Sequence, residues 1–181
     1  MDFNEIEFLA EKELVTVVPN FSEDKITLVT GDYGPFNPSM PTTVPLWLAV
    51  SLKKQQRCHI QPPEWLNVDM LTQKKQDEKE SELFVEMPSN HFIEIATILL
   101  DNASDDITQP DEVRALIKDI SDARAAKLKK GIVDMVVERA THGKVDNLTP
   151  MEVTSVRSFL TQSLDQLHIL RSHANQHATQ T

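Results

Sequence analysis

The chain has 181 residues, 40% hydrophobic and 25% charged, which is ordinary globular usage and excludes a disordered protein. A formal net charge of -10 repels phosphate at long range and argues against tight autonomous DNA or RNA binding, whereas a basic partner suits it. A single cysteine, Cys58, rules out an intrachain disulfide and any multi-cysteine zinc site, which fits a reducing compartment.

The N-terminus MDFNEIEFLAEKE lacks a basic region followed by an apolar one, and no run approaches membrane-spanning length. The chain is therefore expected to be intracellular and soluble, without membrane contact. Asp2 to Lys12 places Phe3, Ile6, Leu9 and Ala10 on one side, with Asp2 and Glu5 at capping-box spacing, which predicts a short opening helix. Two β-branched runs follow, Leu14 to Val18 and Lys25 to Val29, separated by the turn-rich Pro19-Asn20-Phe21-Ser22-Glu23-Asp24. Arg57-Cys58-His59-Ile60 adds a third run, and together the three predict one small sheet. A unit of roughly 60 residues folds alone only marginally, so this one is expected to lean on something else.

Between these runs, Gly34 to Leu66 holds six of the ten prolines and both tryptophans. Proline fixes φ and removes a backbone donor, so the stretch is neither one long helix nor a central strand. Pro45 precedes Trp47, Leu48, Val50 and Leu52, and Pro62-Pro63 precedes Trp65, Leu66 and Met70. Each proline predicts a short helix with a docking aromatic, and the segment reads as an ordered strap joining two domains.

Beyond the strap the pattern is helical. Glu64 to about Glu82 predicts a helix whose second half, TQKKQDEKESE, has no apolar face and is expected to project into water or fray. Pro88-Ser89 opens a helix carrying Phe92, Ile93, Ile95, Ala96, Leu99 and Leu100, with Ser89 as its cap. Pro110 with Asp111 and Glu112 starts a long helix whose stripe, Val113, Leu116, Ile117, Ile120, Leu128, Ile132, Met135 and Val136, runs to about His142. Gly131 inside it marks either a tolerated surface position or the close approach of another helix. Gly143 ends it, and Thr149-Pro150-Met151-Glu152 forms a capping box for a last helix with Val153, Val156, Phe159, Leu160, Leu164, Leu167 and Leu170 as its stripe. The reading is α+β and mostly α: a small β-rich domain with its strap over 1–62, a helical domain of packed long helices over 63–171, and a loose polar tail over 172–181.

A search for chemistry returns little. Four glycines, Gly31, Gly34, Gly131 and Gly143, permit neither a GxxxxGK[ST] phosphate loop nor a GxGxxG dinucleotide turn. No GxSxG elbow or HExxH helix exists, and Cys58 is adjacent to His59, where alternate side chains of a strand point apart. His173 and His177 have metal-pair spacing but no carboxylate or thiol near them, so an incidental origin is the better reading. Asp105-Asp106 and Asp111-Glu112 sit at helix starts, where capping and the helix dipole explain them. No catalytic residue, cofactor site or metal site is assigned.

Two surface features carry functional readings. Lys53, Lys54 and Arg57 form a basic cluster near Trp47 that could touch a nucleic-acid backbone or an acidic partner, although a solvated helix end is the plainer interpretation. The apolar stripes of the long helices serve partly as core, yet few helices are present to cover them, which favours association through helix packing.

The run Val113-Arg114-Ala115-Leu116-Ile117-Lys118-Asp119-Ile120, followed by Arg124 and Lys127-Leu128, resembles the signature helix of GINS complex subunits. EFLAEKELVTVVPNF, GPFNP, VPLWLAVSLKKQQRC, PPEWL, KVDNLTPMEV and FLTQ extend the resemblance over nearly the whole chain, with divergence greatest in Leu71 to Glu86 and after Arg171. The resemblance implies assembly with three related subunits into a heterotetramer and no reaction of its own. It further implies that the tetramer joins the minichromosome-maintenance ring and a cell-division-cycle cofactor as the replicative helicase of eukaryotic nuclei, and links it to DNA polymerase, with DNA contact at most weak or indirect. Carried onto this chain, Val113, Leu116, Ile117, Ile120 and Leu128 would lie in the packed helical core, with Arg114, Asp119, Arg124 and Lys127 supplying polar pairing. Phe159, Leu160 and Leu164 complete the candidate subunit-packing set. Against it stand a nucleic-acid-binding module, signalled by steep salt dependence, an enzyme, signalled by turnover, and an unrelated helical adaptor, which would lack these partners.

Overall fold

Asp2 caps the first helix, α1 (Phe3–Ala10), in a complete capping box, its own N–H donating to Glu5 Oε2 at 3.2 Å. In the computed structural model, which describes residues 2–137, 146–157 and 161, α1 buries Ile6 and Ala10 and leads into strand β1 (Leu14–Pro19). Val15 and Val17 alternate inward along β1, the period that a half-buried strand requires. β1 is central, pairing antiparallel with β4 (Thr42–Pro45) on one side and β5 (Cys58–Gln61) on the other.

The sheet differs from the sequence expectation in one respect. The run around Ile26 does form a strand, β2 (Ile26–Leu28), but it pairs with β3 (Gly31–Tyr33) in a separate two-stranded ribbon. Strand β4, out of the prolyl strap, takes the place it was expected to fill. Pro45 is tolerated because it ends an edge strand, where a missing N–H costs no ladder bond. Gly34 closes the ribbon at φ +125, where an added Cβ would stand 3.1 Å from Asp24 O and 3.2 Å from the buried Phe36 ring.

Helix α2 (Leu46–Lys54) follows Pro45 directly and has no side-chain cap. Its first amides donate instead to the α1 end, Leu46 N to Glu13 O at 2.8 Å and Trp47 N to Glu11 O at 3.0 Å. Its buried residues Leu46, Leu48, Ala49 and Leu52 pack on the sheet and on α4 (Phe92–Asn102). Pro62-Pro63 opens no helix immediately. Leu66 N turns back to Pro63 O, and Asn67 then caps α3 (Val68–Glu80), so this helix begins four residues later than Glu64 and ends at Glu80. Ser89 likewise makes a local turn, accepting from His91 N at 3.1 Å, and α4 starts only at Phe92.

A 3-10 turn (Ser104–Asp106) leads to α5 (Pro110–Val137), which opens on proline and acid as expected and extends about 42 Å at 1.5 Å per residue. Its expected continuation to His142 and the Gly143 stop lie outside the described residues. One hydrophobic cluster runs from Ala10 through α2 and α4 to Ile120, so sheet and helices share a core. Gly131 is exposed, and a methyl group added there would meet nothing within 4 Å, which decides for a surface position.

The two glycines therefore respond oppositely to alanine. Gly34→Ala is expected to destabilise by more than about 1 kcal/mol, and Gly131→Ala to stabilise by up to about 1 kcal/mol, in urea unfolding at high dilution.

Candidate functional site

Helix α3 has little apolar surface to offer: Leu71 and Glu78 are its buried residues. It nevertheless packs along α5, and the reason is charge. Arg124 stands on the inward face of α5, fully buried with its partner Glu78. Its Nη1 donates to Glu78 Oε2 and to Val85 O, each at 2.9 Å. Nε and Nη2 donate to the two carboxylate oxygens of Glu152 at 2.6 and 3.0 Å, a fork-to-fork pair, and Nη2 also reaches Asn147 O at 2.7 Å. Lys127, one turn on, donates to the other Glu78 oxygen and to the carbonyls of Glu78, Ser81 and Leu83. The Phe84 ring lies 5.2 Å from the Arg124 guanidinium and 5.7 Å from the Lys127 ammonium.

The cluster thus ties α3, the 81–87 loop, α5 and the helical turns over 150–157 into one body. Burial alone would lower the Arg124 pKa, but Glu152 and Glu78 more than offset it and hold the guanidinium charged. The expected capping box is present as well, with Glu152 N donating to Thr149 Oγ1 at 3.3 Å and Thr149 N to Glu152 Oε2 at 2.8 Å. Glu152 serves both cap and cation. The second half of α3 accordingly does not project into water: Glu78, with Lys75 paired to Asp119 at 2.6 Å, docks it.

The remaining sequence-chosen residues fall as follows. Val113, Leu116, Ile117, Ile120 and Leu128 are buried within this chain. Arg114 pairs with Asp101 at 2.9 Å on a half-exposed surface, and Asp119 pairs with Lys75. Phe159, Leu160 and Leu164 lie outside the described residues, as do His173 and His177. Val153, the first member of the last stripe, is 50% exposed.

The basic cluster is not a shared solvated patch. Lys53 is largely buried against Asp106, 2.8 Å away, while Lys54 is exposed and Arg57 sits over the Phe21 ring at 4.1 Å, 3.7 Å from Glu23. Asp106 does not play the capping role expected of it: the 3-10 turn has no side-chain cap, and the carboxylate instead accepts from Ile60 N at 2.7 Å and contacts His59 Nδ1 at 3.0 Å, tying the turn to β5. Burial would raise its pKa, but Lys53, the Ile60 amide and His59 outweigh that and hold the carboxyl below its ordinary range. Cys58 faces inward, donating to Ala49 O at 3.8 Å, and burial pushes its thiol up to about 11, away from nucleophilic use.

Sequence reasoning missed Glu78, Glu152 and Asp106 as partners. One signal existed: Arg124 falls four residues after Ile120 and four before Leu128, on the buried face of α5, where a cation demands a buried anion.

Residues 2–61 match the family model for the PSF2 N-terminal domain, and residues 65–169 match that for the GINS complex protein helical bundle domain. The chain belongs to the GINS family. It is similar to human "DNA replication complex GINS protein PSF2", 49% identical over 173 residues that cover 96% of this chain and 94% of the relative. The Drosophila melanogaster "Probable DNA replication complex GINS protein PSF2" is 42% identical over 99% of this chain and 88% of its own. The Schizosaccharomyces pombe "DNA replication complex GINS protein psf2" is 35% identical over 90% and 87%. The boundary between the two matched GINS modules falls at Pro62-Pro63, and the charge cluster lies wholly in the second.

Arg124→Met strands two buried carboxylates and is expected to cost about 3–5 kcal/mol in urea unfolding at high dilution, whereas Arg114→Met, losing a half-exposed pair, costs under about 1 kcal/mol. Lys53→Glu places a second carboxylate against Asp106 and should likewise cost about 3–5 kcal/mol, while Lys54→Glu stays within about 0.5 kcal/mol. Because the folded Asp106 pKa is depressed, its contribution is complete above the ordinary value of 3.8 and fades as pH falls through the folded one. Acid titration of stability in the Asp106→Asn variant should lack that component.

Proposed function

We propose that this chain is a non-catalytic scaffold subunit of a GINS heterotetramer acting in the initiation and elongation of DNA replication in the nucleus. The observation that carries the reading is the end-to-end pairing of both GINS modules in a chain that spans nearly the full length of relatives whose names place them in a DNA replication complex. In this reading residues 1–62 are the small β-rich domain and 63–171 the helical domain. Three related subunits complete the tetramer. The tetramer joins a minichromosome-maintenance ring and a cell-division-cycle cofactor, and connects the helicase to DNA polymerase machinery, while ATP is hydrolysed elsewhere.

The geometry suits a scaffold. The Arg124 cluster braces three helices against each other, and Met70, Leu83 and Val153 keep about half their surface in solvent on the helical part, where partner helices could cover them. Val113, Leu116, Ile117, Ile120 and Leu128 act on assembly from inside, by holding α5 against its neighbours, and Arg114, Asp119, Arg124 and Lys127 by fixing its register. Phe159, Leu160 and Leu164 are candidate contacts on sequence grounds. With Lys53 bound to Asp106, any DNA contact through Lys54 and Arg57 is weak or indirect.

The chain expressed alone is expected to self-associate and to become monodisperse when co-expressed with three other GINS subunits. Sedimentation velocity checks this directly, and a stable isolated monomer would count against the reading. Leu116→Asp or Ile120→Asp buries an unpaired carboxylate and should abolish recovery of the tetramer in pull-downs.

A further inference from the structure

We propose that Glu94 is a proton-operated switch at the joint between the two modules: its neutral carboxyl lets α1 lie on α4, and its ionised carboxylate releases α1. The polar or charged side chains buried among the described residues are Glu78, Glu94, Arg124, Thr149 and Glu152. All but one answer to each other, in the Arg124 cluster and the Thr149 cap. Glu94 is the exception: it is 5% exposed, and neither of its carboxyl oxygens has a hydrogen-bond partner in the protein. His91, three residues earlier at the start of α4, is likewise without a partner at its buried Nδ1. An unpaired carboxylate out of water is far costlier than the neutral acid, so a proton is the counter-charge that reaches Glu94 without opening the fold.

The place of Glu94 couples its charge to the joint. Helix α1 belongs to the first matched module and α4 to the second, and the two are in contact, with Ile6 and Ala10 of α1 fully buried. The charged groups that act on Glu94 come from three elements: Glu152 from the turns over 150–157, Glu7 from α1, and His91 from the start of α4. Burial pushes the Glu94 carboxyl above its ordinary value of 4.5, and Glu152 and Glu7 add to the push, while its own amide and His91 pull the other way without offsetting it. Because the folded value is raised, the carboxyl contributes fully to the joint below 4.5, and that contribution is lost as pH rises through the folded value. Ionised, Glu94 repels Glu7 across the contact. Helix α1 is the element that yields, being 8 residues long, whereas α4 lies in the shared core and the turns over 150–157 are held by Arg124. Asp106, which pins the other joint, responds in the opposite sense, fading as pH falls, so the two are separable.

The test is hydrogen exchange of the full-length chain at high dilution, read by mass spectrometry over residues 2–13 from about pH 5 to about pH 8 and corrected for the intrinsic pH dependence of exchange. Protection of this segment in the wild type should fall about tenfold across the range, whereas Glu94→Gln, neutral and of the same shape, should hold it within about twofold. His91→Gln should keep the wild-type fall. Glu7→Gln, an exposed change, should move the midpoint to lower pH, because it takes away one of the charges that disfavour ionisation. No fall in the wild type, or an equal fall in Glu94→Gln, overturns the proposal. So does lower protection in Glu94→Gln at every pH, which would mean that an internal water or His91 holds Glu94 ionised. Loss of the fall in His91→Gln overturns it too, by placing the proton on His91, as does a Glu7→Gln midpoint that stays or rises.

Discussion

A guanidinium with no access to water has to find an anion, and the helical half of this chain is arranged around that demand. Arg124 meets it with two glutamates and two carbonyls, one pair of acceptors for each side of the fork. Desolvating such a cation costs several kcal/mol, and the mutual attraction of buried charges offsets this only when the geometry is good and every donor is used. Arginine fits the role because its planar fork engages Glu152 in a bidentate pair while a third nitrogen edge faces Glu78 and Val85; a lysine ammonium is a point charge that could satisfy only part of the set. The net gain in stability over a hydrophobic isostere is small, so the cluster's larger contribution is to register: α3 has one docked position along α5, where a sparse apolar face would permit several.

The N-terminal sheet solves a different problem. Three short strands cannot bury enough surface to stand alone, and α2 supplies what is missing by packing beneath the sheet and against α4. Lys53, on the same helix, grips Asp106 from the turn between α4 and α5, and Asp106 in turn caps the Ile60 amide of the edge strand. Apolar contact and ion pair thus act along one line, and the hydrophobic cluster that crosses the module boundary makes the two halves mechanically one.

Features decided by near neighbours were legible in the sequence. Both capping boxes, Asp2 with Glu5 and Thr149 with Glu152, form as their three-residue spacing requires, and Pro110 begins α5 for the same reason. The central strand follows from its β-branched run, and β5 from the alternation of Cys58 and Ile60 with polar neighbours. What failed depended on distant partners. Glu78 meets Arg124 across 46 positions, so the composition of TQKKQDEKESE read as solvent-facing when one of its acids is the best-buried residue in the helix. Strand β4 was hidden in a prolyl strap because edge pairing asks little of side chains, and β2 left the main sheet because nothing in its immediate neighbourhood names its partner. Lys53 looked like one of three equivalent cations, and only the fold separates it from Lys54.

The 81–87 loop carries neither helix nor strand, yet its main-chain oxygens are held one after another: Ser81 O and Leu83 O accept from Lys127, Val85 O from Arg124, and Phe84 O from Asn147 Nδ2. A carbonyl oxygen is the same whatever side chain follows it. The path of this loop is therefore written mostly outside it, in α3, α5 and Asn147, and its exposed Glu82, Leu83 and Glu86 are free to change, and with them the outward face it presents to whatever lies against it, while its backbone stays where three cations and an amide hold it.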